Sequence, residues 1–241
     1  MLKSSGAMAA ATLTSRVLGM VREMVYANFM GIGWVTDAFM LAFTIPNLFR
    51  RLLGEGALTV AFIPIFKEKE KKQGEVEMWR AANAVISGLI VVTSVIVALG
   101  IFGISLALPL VKNAKPQPIV LQTSHPDVGN EAAYFNYLQS KTNLDYDGLY
   151  KTKGEIKWER TVLMLELLRE MFPYLLLVCV AAAFIGILNA RGHFFIPAMG
   201  ATMLNVVMIA SVFWIAPHMG ILLPDKIFGL AIGVLLAELM P

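Results

Sequence analysis

The sequence has little charge and almost no cysteine, and each shortage excludes a class of protein. Only 15% of its 241 residues are charged and 57% are hydrophobic, with a mean hydropathy of +0.68. This composition predicts an integral membrane protein and argues against a soluble globular domain. Cys179 is the single cysteine, so an intramolecular disulfide is excluded, and its apolar neighbours predict a small packed side chain.

The patterns on which catalysts and metalloproteins depend are also missing. The three histidines, His125, His193 and His218, are isolated from one another and from Cys179, so no zinc-ligand spacing occurs. No GxxxxGK[ST] loop is present to cradle nucleotide phosphates, and no set of nucleophile, general base and orienting group can be identified. We therefore predict a transporter and not an enzyme, without a cofactor or a metal.

Basic residues are present, but their distribution does not predict nucleic-acid binding. The net charge is only +3, and lysines and arginines occur in blocks beside hydrophobic segments. Such blocks are typical of the signals that set membrane topology.

The most informative stretch, Ser15 to Ala57, is hydrophobic and yet carries four arginines. Arg16 and Arg22 lie in its first apolar segment, and Arg50 and Arg51 end the second. A cation near the bilayer centre costs roughly 2.5 to 3.5 kcal/mol, so such arginines normally face a bundle interior or a water-filled cavity. The guanidinium group is permanently charged, and its fork of donors matches phosphate. The four arginines therefore predict a cavity that binds an anion such as a diphosphate.

The predicted geometry of this stretch is a helical hairpin. Two antiparallel helices, residues 7–31 and 34–53, would be joined by a short turn with two glycines. At about 1.5 Å per residue, Arg16 then lies near the level of Arg50, while Arg22 lies roughly 9 Å deeper.

Acidic residues in the same stretch leave an alternative open. Glu23, Asp37 and Glu55 can neutralise three of the four arginines in structural ion pairs. In that arrangement little positive charge would remain for an anion.

Several ordered motifs resemble one family of membrane transporters. They are SRVLGMVRE at 15–23, TDAFMLAFTIPNLFRRLLGEGALTVAFIPIF at 36–66, FPYLLLV at 172–178 and ILNARGHFFIPAMGATMLNVVMI at 187–209. Together they are similar to the amino-terminal half of the MurJ (MviN-type) lipid II flippases. The resemblance implies an all-α bundle of about six transmembrane helices that forms one lobe of a two-lobe exporter. It also implies that lipid-linked peptidoglycan precursor is carried across the bacterial cytoplasmic membrane, for cell-wall synthesis and cell shape.

The same resemblance implies roles for individual residues. Arg16, Arg22, Asp37, Arg50 and Arg51 match functionally important charged positions of the family. The four arginines are accordingly assigned to bind the diphosphate or headgroup of the substrate.

Four nearby residues complete the predicted site. Asn47 and Glu55 are assigned as transport-associated residues. Gly54 and Gly56 would let the loop after the second helix hinge as the cavity changes its opening. A simple helix stop is the alternative explanation for these two glycines.

The rest of the chain divides around a long loop. Residues 1–111 would hold three transmembrane helices, the arginine-lined cavity and a cytoplasmic loop at 54–80. Ala81 to Val111 carries no charge and is the clearest span. Residues 112–160 form a long extramembrane loop, whose length departs from the short connection expected in the family.

Residues 161–241 would hold three more transmembrane helices. Pro173 is expected to kink the first of them. The last apolar segment, Ile227 to Pro241, has only fifteen residues and is too short to cross a core that requires about twenty. The chain is therefore expected to end within a helix.

Orientation is predicted from lysines and arginines in short loops. The connection from Arg50 to Arg80 holds seven of them, and Arg191 lies on the same side if six helices alternate. That side should be cytoplasmic, together with the amino terminus near Lys3. The 112–160 loop would then face the periplasm.

The predicted partners are lipid II, membrane lipids, a carboxy-terminal lobe and cell-wall synthesis proteins. Two rival functions stay open: a flippase for another polyprenyl-diphosphate-linked glycan, and a non-transporting membrane scaffold of the cell-wall machinery. A multidrug antiporter is disfavoured, because cationic drugs prefer unpaired carboxylates and this cavity would be crowded with arginine.

Overall fold

The long hydrophobic segments of the sequence form helices. The computed structural model describes residues 2–50, 68–116, 142–144, 150–192 and 195–239. The long helices in these ranges are α1 (Leu2–Met30), α2 (Trp34–Arg50), α3 (Glu75–Asn113), α4 (Lys153–Met171), α5 (Tyr174–Ala190), α6 (Phe195–Trp214) and α7 (Leu223–Leu239). A 3₁₀ turn, Ala216–His218, follows α6. The predicted helical fold is confirmed, and the only strands among these residues are β1 (Thr142–Leu144) and β2 (Tyr150–Thr152), which pair antiparallel.

The first two helices are joined by the predicted glycine turn. Gly31 adopts a φ of +64°, which glycine reaches without steric cost. Thr36 then donates its hydroxyl hydrogen to the carbonyl oxygen of Gly31 at 3.0 Å, which fixes the start of α2. Within the described residues, which reach Arg50, the two predicted segments of the hairpin are therefore helical.

The two helices of the hairpin diverge after the turn. Near the turn the rings of Tyr26 and Phe39 meet edge to face, with centroids 6.1 Å apart. Further from the turn, α1 packs along α6, whereas α2 packs along α4. Helix α7 contacts both α6 and α4. In the described part of the chain, α1 and α2 do not pack along their lengths, and the region between them beyond the turn is called the cleft below.

The third helix lies antiparallel to the pair formed by α4 and α5. Helices α4 and α5 meet at Phe172 and Pro173, where the chain bends by 40°. The kink predicted at Pro173 is therefore present. The ring of Phe172 fits against Gly100, where a Cβ atom would lie only 2.2 Å from it. A glycine in α3 thus leaves the space that the bend requires.

The core lies where α2, α4, α6 and α7 meet. Its fully buried members include Val35, Phe39, Leu167, Met171, Ile227, Leu230 and Val234. Two glycines one turn apart bring α7 close to α6 and to the 3₁₀ turn after it. A Cβ at Gly233 would lie 2.3 Å from Ser211 of α6, and a Cβ at Gly229 would lie 2.6 Å from the Cα of Ala216 in the turn. This close approach is the usual role of small residues between membrane helices.

The exposed surface of α3 is strongly apolar. Val91, Leu99, Phe102 and Leu110 are each more than half exposed, and no described helix covers the face on which they lie. A soluble protein rarely exposes such a face, whereas lipid covers it at no cost. By length and composition, α3 is the one described helix able to cross a membrane, or one of two if the bent α4–α5 pair forms a single span. The six-span bundle stays a prediction.

Several boundaries differ from the sequence-based expectation. The first helix begins at Leu2 and not at residue 7, and the third begins at Glu75, inside the range expected to be a cytoplasmic loop. The fourth helix begins at Lys153, inside the range expected to be loop. The seventh begins at Leu223, four residues before Ile227, and the backbone N–H of Lys226 donates to the carbonyl oxygen of Leu222 at 3.1 Å in its first turn.

Candidate anion-binding site

Helix α1 presents three faces, which follow from its helical register and its burial. The face packed toward the bundle holds Ala11, Ser15, Leu18, Arg22 and Val25. An exposed apolar face holds Leu13, Val17, Met20, Val21 and Met24. An exposed polar face holds Thr12, Arg16 and Glu23. In a membrane the apolar face suits lipid, and the polar face requires a hydrated cavity.

Arg22 sits at the boundary between the packed face and the polar face. Its side chain is 22% exposed and forms an ion pair with the carboxylate of Glu23. On its other edge, Nη1 donates a hydrogen bond to Oδ1 of Asn205 in α6 at 3.1 Å. The guanidinium group is therefore held from two sides while part of it stays accessible.

Asn205 was not singled out by the sequence, although it lies within a motif of the family resemblance. It is buried, with only 7% of its surface exposed. Its Nδ2 donates to the carbonyl oxygen of Ser15 at 3.1 Å. The amide therefore contacts α1 at two points that flank Gly19. An asparagine in an apolar helix was the available signal, but nothing in the sequence identifies its partners.

Arg16 lies on the exposed polar face of α1. It is seven residues before Glu23, so both side chains start from the same side of the helix. Within the described ranges Arg16 has no hydrogen-bond or ion-pair partner. Its charge is therefore not neutralised within the described part of the chain.

Among the described residues, one ion pair of the kind that would neutralise the candidate arginines is present. Glu23 pairs with Arg22, but it is itself 58% exposed, and exposed pairs contribute little to stability. Asp37 lies in the first turn of α2 and faces Arg160 of α4 at 3.8 Å. Among the described residues Asp37 thus pairs with none of the four candidate arginines.

The structure describes the remaining predicted site residues only in part. Asn47 is half-buried on α2 and interacts with another residue. Arg50 is the last residue of α2, and its side chain lies outside what is described. The other four, Arg51, Gly54, Glu55 and Gly56, fall outside the described residues, so their roles stay predictions.

One end of the bundle carries a polar contact between distant parts of the chain. Arg191, just after α5, pairs with Glu75 at the start of α3 at 2.7 Å, and its guanidinium carbon lies 5.0 Å from the ring centroid of Trp79. Hydrogen bonds from Arg191 and Trp79 lower the pKa of the Glu75 carboxyl below its ordinary value. The contact places the start of α3 and the end of α5 at the same end of the bundle.

The opposite end is held by contacts between α3 and α4. Lys112 pairs with Glu166 at 2.7 Å, and Trp158 donates its indole N–H to the carbonyl oxygen of Val111 at 2.7 Å. Lys115 lies over the ring of Trp158 at 5.5 Å. Polar contacts are therefore concentrated at the two ends of α3, and its apolar middle lies between them.

Two further features concern metal ligands and surface grooves in the described part of the chain. The described residues contain no group of histidine, cysteine, aspartate and glutamate side chains that could hold a metal ion. A surface groove of about 630 Å³ lies between α1 and the 3₁₀ turn, lined mainly by apolar side chains such as Val25, Phe29 and Ile221. The predicted arginines are not among its lining residues.

Comparisons of the sequence with a family model and with curated proteins identify the same family. The sequence model of the family described as "Lipid II flippase MurJ" matches residues 26–119 and 151–240. The unmatched central segment falls inside the loop that was expected to depart from the family. Arg16 and Arg22 precede the first matched segment, but relatives align across almost the whole chain.

Three relatives illustrate the similarity. A probable lipid II flippase MurJ from Bdellovibrio bacteriovorus is 35% identical over 99% of this chain and 38% of its own length. One from Vibrio cholerae is 32% identical over 100% of this chain and 39% of its own length. The lipid II flippase MurJ of Burkholderia cenocepacia is 31% identical over 86% of this chain and 33% of its own length.

The chain thus spans between about a third and two fifths of the length of these curated relatives. The family description names a flippase, so the prediction of a transporter family and not an enzyme is confirmed. The family model matches most of the chain, and one relative is 35% identical over nearly all of it. The chain therefore belongs to the MurJ family of lipid II flippases.

Proposed function

We propose that the chain acts as the amino-terminal lobe of a lipid II flippase in the bacterial cytoplasmic membrane. The lobe would bind the diphosphate of the lipid-linked peptidoglycan precursor at the cleft between α1 and α2, while the polyprenyl tail stays in lipid. Alternating access would then move the headgroup from the inner to the outer leaflet for cell-wall synthesis. No covalent chemistry is needed for this step.

The observation that carries the proposal is the placement of Arg16 and Arg22 on adjacent faces of α1, a helix along which α2 does not pack in the described part of the chain. Arg16 is exposed, and Arg22 is partly accessible. Permanently charged guanidinium groups on an apolar helix are costly unless they face water or an anion. A diphosphate supplies the matching charge and geometry. Arg50 and Arg51, at the end of α2 and just after it, would complete the site.

Competition binding tests the substrate. The chain, expressed in the longest reading frame that contains it, would be placed in nanodiscs with fluorescent lipid II. Unlabelled lipid II should displace the probe at a concentration at least about tenfold lower than a polyprenyl diphosphate carrying an unrelated glycan. Equal displacement by both lipids would favour the rival flippase. Capture of cell-wall synthesis proteins without any lipid binding would favour the scaffold.

We also propose an orientation for the bundle, with the amino terminus in the cytoplasm and the residues between α3 and α4 in the periplasm. Its support is the block of basic residues from Arg50 to Arg80, since such blocks stay on the cytoplasmic side. The contact between Arg191 and Glu75 agrees, because it brings a second basic turn to the same end.

Labelling of single cysteines tests this orientation. In a Cys179→Ala background, Lys157→Cys at the start of α4 should react with an impermeant thiol reagent added outside the cell. Gln73→Cys, just before α3, should react only after the membrane is permeabilised. Both positions are exposed in the bundle, so accessibility from the two sides is compared directly. The reverse labelling pattern would overturn the orientation.

A further inference from the structure

A buried amide connects the proposed site to the helix behind it. Asn205 lies in the middle of α6 and is the polar residue there that contacts Arg22. The same side chain also bonds the backbone of α1 at Ser15. These two bonds fix which way the amide faces, because a guanidinium group only donates and a carbonyl oxygen only accepts. Oδ1 must face Arg22 and Nδ2 must face Ser15.

The chemistry of this contact differs from that of an ion pair. A carboxylate at the position of Asn205 would hold Arg22 equally well but would cancel its charge. The neutral amide satisfies one edge of the guanidinium group and leaves the positive charge in place. Glu23 is the counter-ion on the other edge, and it is largely exposed, so an anionic ligand can take its place.

We infer that Asn205 is a positioning residue of the headgroup site, which holds the guanidinium group of Arg22 toward the cleft without neutralising it. The inference rests on the proposed function, since it assigns a partner to an arginine of that site. Without the amide, Arg22 keeps the carboxylate of Glu23 and a long contact from Nη1 to the sulfur of Met208 at 3.9 Å, of which only the carboxylate is a strong partner. The side chain would then turn toward that carboxylate and present less charge to a diphosphate.

A double-mutant cycle between the two residues provides the test. Binding of undecaprenyl diphosphate in nanodiscs would be measured for N205A, R22A and the double variant, in the longest reading frame that contains the chain. N205A should weaken binding about tenfold, because the variant loses the one hydrogen bond that positions Arg22, and a bond of this kind corresponds to about a tenfold change in affinity. R22A should weaken it about a hundredfold, and adding N205A to R22A should have no further effect. A residue with a merely structural role would weaken binding by the same factor in both backgrounds.

N205D covers the case in which N205A does not fold. This variant keeps the size of the side chain and an acceptor for Arg22, but it adds a negative charge, so binding should again fall about tenfold or more. N83D is the matched control, because it adds the same charge at an exposed position of α3 and should bind as the wild type does. The control also separates a local effect from a change in net charge.

The possible outcomes separate this inference from the proposed function. If R22A binds normally, the role of Arg22 in the site is wrong, and the inference falls with it. If R22A is weakened but N205A and N205D bind as the wild type does, only the inference is overturned. Equal effects of N205A with and without Arg22 would also overturn it, since the two residues would then act independently.

Discussion

Replacing Arg22 with alanine is expected to abolish transport while leaving the protein in the membrane. Of the two candidate arginines whose side chains are described, Arg22 is the one whose guanidinium group is held by partners, Glu23 and Asn205. Each hydrogen bond to a charged group contributes about 1.5 to 3 kcal/mol. Losing a two-pronged contact with a diphosphate should therefore cost about 3 kcal/mol, which is roughly a hundredfold in affinity.

The measurement is growth of cells that depend on the longest reading frame containing this chain, with the protein level followed in the membrane fraction. Arg80→Ala is the matched control. Arg80 is highly exposed at the start of α3 and pairs only with Glu77 three residues before it among the described residues. Its loss should have little effect. Normal growth with Arg22→Ala would contradict the proposed site. Arg50→Ala carries the same sequence-based expectation.

A lysine in place of Arg22 distinguishes charge from geometry. Lysine keeps the positive charge but lacks the planar guanidinium group, whose paired N–H donors match phosphate. It also lacks the Nη1 donor that reaches Asn205. Arg22→Lys should therefore restore growth only weakly. Full restoration would show that charge alone is sufficient at this position.

The helices could be predicted from the sequence because their signals are local. The glycine turn after α1, the uncharged stretch within α3 and the break at Pro173 all appear in the structure where the residue pattern placed them. Each depends on residues within a few turns of one another. The early start of α4 at Lys153 was missed, because charged residues there made a helix look like part of the loop.

The partners of the site could not be predicted in the same way. Asn205 is 183 residues from Arg22, and Arg191 is 116 residues from Glu75. Such contacts depend on how the helices pack. The sequence likewise gave no sign that Asp37 would face Arg160 in α4. It predicted that charge must be satisfied inside the membrane, but not which neighbour would satisfy it.

The divergence of α1 from α2 was also not predicted. A short turn suggested a hairpin with arginines at matched depths, whereas α1 packs along α6 and contacts α2 mainly near the turn. This arrangement leaves the polar face of α1 without a protein wall in the described part of the chain. A carboxy-terminal lobe, proposed from the greater length of the relatives, would supply that wall.

The 241 residues expressed alone are expected to insert and to bind lipid II weakly, but not to flip it. Alternating access needs two bodies that move about a central site, and one lobe can offer its arginines only to an open groove. The chain and the Bdellovibrio relative, of which it covers 38%, would be compared in liposomes with fluorescent lipid II and an impermeant quencher. The longer protein should expose the label in both leaflets, whereas the chain alone should leave the leaflet distribution unchanged. Robust flipping by a monomer of the chain would refute the two-lobe requirement, and flipping only by a dimer would mean that a second copy supplies the missing wall.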